Sequence, residues 1–377
     1  MSKRYCIFIT ALFCAFIGVF LVANAVSPDR EFSQMENRTL AQLPVPSVKT
    51  LVNGSFMSDF ETYVTDQFVG RDGWIALKSS TERALGKKEN NNVYFCDQDT
   101  LITRFDEPDG TKVTNNLNYV NKFVENVDIP VYFSLIPTQA CIWADRLPAG
   151  APNADQTAIL EQAAGATAAQ WYDSYSSLFA HKDEDIFYRT DHHWTSLGAY
   201  YGYTALCQAM GLTPVPLEQY DKTTVSESFY GTVFSSSGVR WVRPDRIDTY
   251  VPEDGITVVS HTYDAKGNPV EEPRQLYDES YLTVKDQYSM FLGGNQSLGV
   301  VTNTNNPDAP KLLIIRDSYA DSLVPFLTPH FSEIHLIDLR YYKLSVSEYV
   351  QRNGIDEALV LYSVPNFTSD SNLVWLK

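Results

Sequence analysis

Short, largely apolar runs separated by helical patterns constrain the fold of this chain more than any other feature of its sequence. Val131–Ile136, Lys311–Ile315, Glu333–Leu339 and Ala358–Ser363 are strand-length and rich in Val, Ile and Leu. Val131–Ile136 is expected to be a buried strand ending at Pro137, and the others short apolar strands of the same sheet. Helical patterns fill the intervals: Asn115–Val127, Asp155–Leu178 (weakened by Gly165), Tyr319–Leu327 and Val346–Arg352. Another is capped by Thr195, runs to Met210 and stops at Gly211. A parallel neighbour is reached only through a crossover, usually a helix. The expected architecture is therefore α/β, with a mainly parallel sheet flanked by helices. A further short strand, Ile186–Tyr188, is expected to end on the same sheet edge as Leu312–Ile315 and His335–Leu339.

From about 214 to 310 helical periodicity is lost. Thr, Tyr, Val, Gly and Ser dominate, as in Tyr230-Gly231-Thr232-Val233 and Ile256-Thr257-Val258-Val259, and a β-rich insertion is expected. Val93–Ile102 reads as a hairpin turning at Asp97-Gln98-Asp99. Residues 27–55, with Pro28, Pro44 and Pro46, read as an extended tether. Phe56, Phe60 and Tyr63 then open a helical pattern at the head of a main domain, 56–377.

Residues 1–26 read as a targeting segment. Lys3-Arg4 forms a positive flank, and Tyr5–Val26 is almost wholly apolar. A bilayer span needs about 20 such residues. The flank keeps the N-terminus in the cytosol and sends the body outside it. Ala23-Asn24-Ala25 offers a signal-peptidase site, but the run exceeds the usual core of a signal peptide of ~7–15 residues, which favours an uncleaved anchor. The formal charge of −17 argues against a nucleic-acid partner. It favours a neutral glycan over a polyphosphate, although acidity also simply confers solubility. The body's Cys96, Cys141 and Cys207 match no metal-site spacing.

Chemistry concentrates in two places. Asp191-His192-His193-Trp194 places an acid, two of the six histidines and an indole in succession. Arg316-Asp317-Ser318 follows an apolar strand and opens a helix. A serine there has backbone N–H groups and a favourable dipole beside it, suited to an oxyanion. The plain alternative is an N-cap serine. Asp191 and His193 have the spacing of an orienting acid and a base, with Ser318 as nucleophile. Zinc bound by Asp191, His192 and His193 is a second possibility, disfavoured because adjacent side chains on a regular element point apart. Arg340, Tyr362 and Asn295 also fall near strand ends or turns. Each is a candidate oxyanion or substrate contact, or respectively a salt-bridge partner, a core tyrosine and a loop residue.

Asp191-His192-His193-Trp194 resembles the signature of the DHHW protein family. So do Glu36-Asn37-Arg38, Phe291-Leu292-Gly293-Gly294-Asn295, Arg316-Asp317-Ser318 and Asp338-Leu339-Arg340-Tyr341-Tyr342. The likeness covers nearly the whole chain after the apolar segment. More distantly the chain is similar to the SGNH-hydrolase-like acetyltransferases that O-acetylate alginate, where Asp-x-His precedes a strand-borne Asp-Ser. The resemblance implies an SGNH-hydrolase-like fold, Asp191 and His193 as triad acid and base, and Ser318 as nucleophile. His192 stands where the distant family usually has a small polar residue, which leaves it open as the base or as a substrate contact. The ordinary SGNH order, serine first, is not followed. The resemblance further implies acetyl transfer to an extracellular polysaccharide, with a membrane-bound acyltransferase supplying the acetyl group and no cofactor. The same residues suit an acetyl-esterase, and a non-catalytic glycan-binding or envelope-assembly protein is the reading from another class.

Overall fold

The computed structural model describes residues 2–251, 254–263 and 269–376. Met1, Lys377 and two stretches of the expected insertion, 252–253 and 264–268, lie outside the described residues. The backbone divides into two units, Met1–Asn90 with Gly238–Arg240, and Asn91–Ser237 with Trp241–Lys377.

The first unit begins with the helix Lys3–Val26, long and apolar enough to cross a bilayer and with no buried residue. A two-stranded turn follows, Phe32–Ser33 against Arg38–Thr39, with Asn37 at φ 52° at its bend. Asn tolerates that left-handed position better than most residues. Helices Val48–Val52, Ser55–Asp66 and Arg71–Ala84 follow, and then the short strand Glu89–Asn90. The Glu36-Asn37-Arg38 motif builds an ion cluster here. Arg38 grips Asp66 through both guanidinium nitrogens, and Glu36 pairs with Arg38 at 2.9 Å and Arg71 at 2.6 Å. The Arg38 hydrogen bond, against the opposing effect of burial, holds the Asp66 carboxyl down at about 2.

The second unit is built on an eight-stranded sheet. Its spatial order is Pro269–Arg274, Ile256–Tyr263, Leu298–Asn303, Glu333–Ile337, Lys311–Arg316, Glu357–Ser363, Val131–Ile136 and Gln170–Trp171. From Glu333–Ile337 to the Gln170–Trp171 edge every pairing is parallel. The other three pairings are antiparallel. The expected mainly parallel sheet is thus a mixed one, because strands of the β-rich insertion join it as an antiparallel wing. Leu298–Asn303 shows why: its residues alternate buried and half-buried, the pattern of a strand with one wet face. Val131–Ile136 is buried throughout, as the apolar runs predict. The insertion's remaining strands, Asp221–Phe229 and Asp245–Val251, form a separate antiparallel pair.

Two helical segments are broken differently from expectation. Asp155–Leu178 is two helices, Gln156–Ala166 and Ser174–Ala180, with the edge strand between and Asp173 capping the second through Ser176 N–H. Tyr319–Leu327 is a 3₁₀ turn, Ser318–Ser322, followed by one α-turn, Val324–Leu327, with Pro325 in it. Ile186–Tyr188 is no strand of the sheet. It makes a single antiparallel bridge, Phe187 to Trp194, because the chain folds straight back: Tyr188 N–H donates to the His193 carbonyl and Thr195 N–H to that of Ile186. Trp194 is core. It packs on the helix Ser196–Met210 where Gly202 leaves room, since a Cβ there would lie 2.7 Å from the indole.

Candidate functional site

Parallel strands deliver their carboxyl ends to one edge, and the site forms there. Lys311–Arg316 leads into Asp317-Ser318, and Glu357–Ser363 leads to Asn366. Val131–Ile136 leads to Gln139, whose amide donates to the carbonyls of Tyr188 and Asp191 at 2.7 and 2.6 Å. That side chain holds the tight 188–195 fold-back over the sheet edge.

Three side chains from the two motifs form a hydrogen-bonded chain. His193 Nε2 lies 2.7 Å from Ser318 Oγ, and His193 Nδ1 lies 2.6 Å from Asp191 Oδ1. Asp191 is 1% exposed and His193 4%, whereas Ser318 stays half-buried. A carboxylate only accepts, so Nδ1 carries the ring proton and Nε2 faces the hydroxyl as acceptor. Burial opposes ionisation of Asp191. The two imidazoles beside it and the Thr232 N–H outweigh that, and its carboxyl sits well below the usual range. Asp191 Oδ2 takes the Thr232 N–H and hydroxyl at 2.7 and 2.9 Å. Gly231 makes this approach possible, for a Cβ there would stand 2.2 Å from the Asp191 Cβ.

The other histidine faces elsewhere. His192 Nδ1 lies 2.6 Å from Thr232 Oγ1. The two rings do not point apart as expected for neighbours on a regular element. The chain bends at this point, leaving their centroids 3.8 Å apart. Their donor atoms and the Asp191 carboxylate lie within 4.8 Å of one another, near enough to share a cation. Protein already engages both nitrogens of His193, through Asp191 and Ser318, and Nδ1 of His192, through Thr232.

The turn bearing Ser318 is held by Asp317. Its Oδ1 accepts from Tyr319 N–H at 3.0 Å, and its Oδ2 from Ser363 N–H and hydroxyl and the Asn366 amide at 2.7–2.8 Å. The N–H of Ala320 goes to the Asp317 carbonyl. The free helix N-terminus expected after Ser318 is therefore reduced, because a short 3₁₀ turn capped by its own aspartate consumes those donors. Arg340 is paired with Asp338 at 2.6 Å and donates to Asn295 Oδ1 at 3.0 Å. Tyr362 is buried, and its hydroxyl has no hydrogen-bond partner among the described residues. Arg340 and Tyr362 line a cavity of about 220 Å³ together with Asp317 and Asn366. Among the described residues, no hydrogen bond ties Arg340, Tyr362 or Asn295 to Ser318 or His193.

Sequence reading passed over Tyr288. Its ring stacks on His193 with centroids 3.7 Å apart and planes 5° from parallel, and its hydroxyl donates to the Ser318 carbonyl at 3.0 Å. Thr232 and Asn366 were passed over too. Thr232 stood only in Tyr230-Gly231-Thr232-Val233, a β-rich fragment with a glycine, and Asn366 only in an Asn-x-Thr sequon, a pattern common by chance.

A profile of the DHHW protein family matches residues 112–337. Among solved structures, a DHHW family protein from Eubacterium siraeum DSM 15702 is similar, with a TM-score of 0.64 and 27% identity over 75% of this chain and 94% of that one. Bacillus cereus PatB1, solved with a sulfonyl adduct, shares the fold at a TM-score of 0.61 and 20% identity, over 76% of this chain and 98% of its own. The O-acetyltransferase domain of Pseudomonas putida AlgJ fits more loosely, at a TM-score of 0.47 and 14% identity over 76% and 95% of the two chains. No curated protein matches. The matched profile spans more than half of the sequence and contains the Asp191–Trp194 motif that names it: the chain belongs to the DHHW protein family.

Proposed function

We propose that the protein is an extracytoplasmic serine acyl-transfer enzyme, an O-acetyltransferase acting on a cell-envelope or exported polysaccharide. The carrying observation is the hydrogen-bonded chain Asp191–His193–Ser318, with contacts of 2.6 and 2.7 Å. Ser318 Oγ attacks the acetyl carbonyl while His193 Nε2 takes its proton and passes it to the departing donor. Asp191 keeps the ring in the tautomer this needs and stabilises the imidazolium. In the second half, an acceptor hydroxyl gives its proton to His193 and attacks the acetyl-serine ester. Ser318 Oγ then leaves and recovers the proton. No cofactor enters these steps. Arg340, Tyr362 and Asn295 remain candidates for holding substrate near the sheet edge.

The apolar helix Lys3–Val26 supports placement at a membrane with the body outside, and the acidic chain supports a partner other than nucleic acid. The likeness of the Asp-x-His and Asp-Ser order to alginate-modifying acetyltransferases supports a glycan acceptor and a membrane-bound acyltransferase as the source of acetyl. A serine-directed phosphonate tests the reading. It should label Ser318 in the wild type, and Ser318→Ala should lose both label and acetyl turnover, by at least about a thousandfold, with little change in melting temperature. Undiminished turnover in that variant sinks the assignment. Acetyl released only to water points to an esterase.

A further inference from the structure

Beside the site lies a cavity of about 340 Å³, lined by His192, Thr232, Tyr319 and Asn366 together with apolar Phe105, Val233 and Pro365. That is within the span of small-molecule sites, roughly 300–1,000 Å³, and far larger than an acetyl group requires. His192 is the imidazole in its wall, and its ring lies 3.8 Å from that of His193. Thr232 decides what His192 offers. The Thr232 hydroxyl has one hydrogen, which goes to Asp191 Oδ2 at 2.9 Å. Its contact with His192 at 2.6 Å must then be donated by Nδ1–H. In the neutral ring, Nε2 is left as an unprotonated acceptor. Burial first, and His193 second, lower the pKa of this ring to about 4, which favours the neutral form.

Resting on the acyl-serine reading above, we propose that this cavity is the acceptor site, and that His192 Nε2 takes a hydrogen bond from a hydroxyl of a neutral sugar bound there. Thr232 is the device that couples the two histidines. One hydroxyl fixes the tautomer of His192 while it helps hold the acid that orients His193. An apolar wall of Phe105, Val233 and Pro365 suits the C–H face of a sugar ring, and the polar wall suits its hydroxyls.

The test uses the full chain, 4-nitrophenyl acetate as acetyl donor, and cellotetraose and chitotetraose as acceptor probes. The readouts are the burst of 4-nitrophenol and the partition of acetyl between sugar and water. Wild type should show a burst and transfer. His192→Phe, which keeps a flat ring but no acceptor atom, should lower the sugar-to-water partition about tenfold, the value of one hydrogen bond. His192→Gln, whose carbonyl reaches the Nε2 position, should restore part of it. Val233→Trp, filling the cavity, should raise the KM for the probes. An unchanged partition in His192→Phe overturns the inference. So does an equal fall in burst and transfer with partition constant, which would show that His192 acts only through His193. A wild type that acylates yet transfers to neither probe overturns the acceptor site while leaving acyl-serine chemistry standing. A wild type with no burst defeats the acyl-serine reading itself.

Discussion

The hydrogen-bonded chain Asp191–His193–Ser318 draws its geometry from the residues packed around it. Tyr288 is the clearest: its ring covers one face of His193 and its hydroxyl bonds the carbonyl of Ser318. Burial pushes that phenol well above its ordinary range, so it remains a neutral donor. A stacked aromatic contributes about 0.5–1.5 kcal/mol beyond its buried area. Tyr288→Leu should therefore slow acyl-enzyme formation about tenfold, and Tyr288→Phe, which keeps the stack, should lose less; burst kinetics separates the two. His192 carries a pH signature. Its pKa is lowered to about 4, so between roughly pH 4 and 6.5 the unfolded chain binds a proton there that the folded chain does not. Stability should rise with pH across that window and be insensitive to this ring above it. Denaturant midpoints at pH 4.5 and 7 should differ less in His192→Phe than in wild type.

At the scale of elements, the decisive feature is the fold-back 186–195 and the segments that clamp it. Gly231 lets its strand-to-helix connection approach Asp191. Gly231→Ala should destabilise the fold by about 1–3 kcal/mol through overpacking. Activity should fall further, about a hundredfold, because a displaced acid misorients the base. Gly165 is the contrast: it sits in the helix Gln156–Ala166 with nothing within 4 Å of its ideal Cβ. Gly165→Ala should raise stability by about 0.4–1 kcal/mol, measured by thermal melts, and leave turnover intact. The same elements show why sequence reading erred. Ile186–Tyr188 has a strand's composition, but its partner is its own continuation at Trp194, a pairing that local pattern cannot rank against the sheet.

For the whole molecule, the helix Lys3–Val26 sets the expected location. The full chain should sediment with membranes and resist carbonate extraction, while a chain lacking residues 2–26 should lose both membrane association and export and stay in the soluble cytosolic fraction. Full-length protein in the cytosolic soluble fraction would overturn this. Sequence alone determined the apolar segment, the buried run Val131–Ile136, the strand Lys311–Ile315, the cap at Thr195 and stop at Gly211, and it singled out Asp191, the His192-His193 pair and Ser318 as candidates. These were legible because burial period, capping chemistry and the pairing of acid, base and hydroxyl are local or compositional signals. Only tertiary structure decided which histidine meets the serine. Neighbours in sequence differ in direction by a bend that no periodicity records. It also decided the antiparallel wing, because the partner of an edge strand is chosen across the sheet and not along the chain. Tyr288, Thr232 and Asn366 became visible for the same reason: each reaches the site from a distant segment, and a contact between residues far apart in the chain leaves no mark on either segment alone.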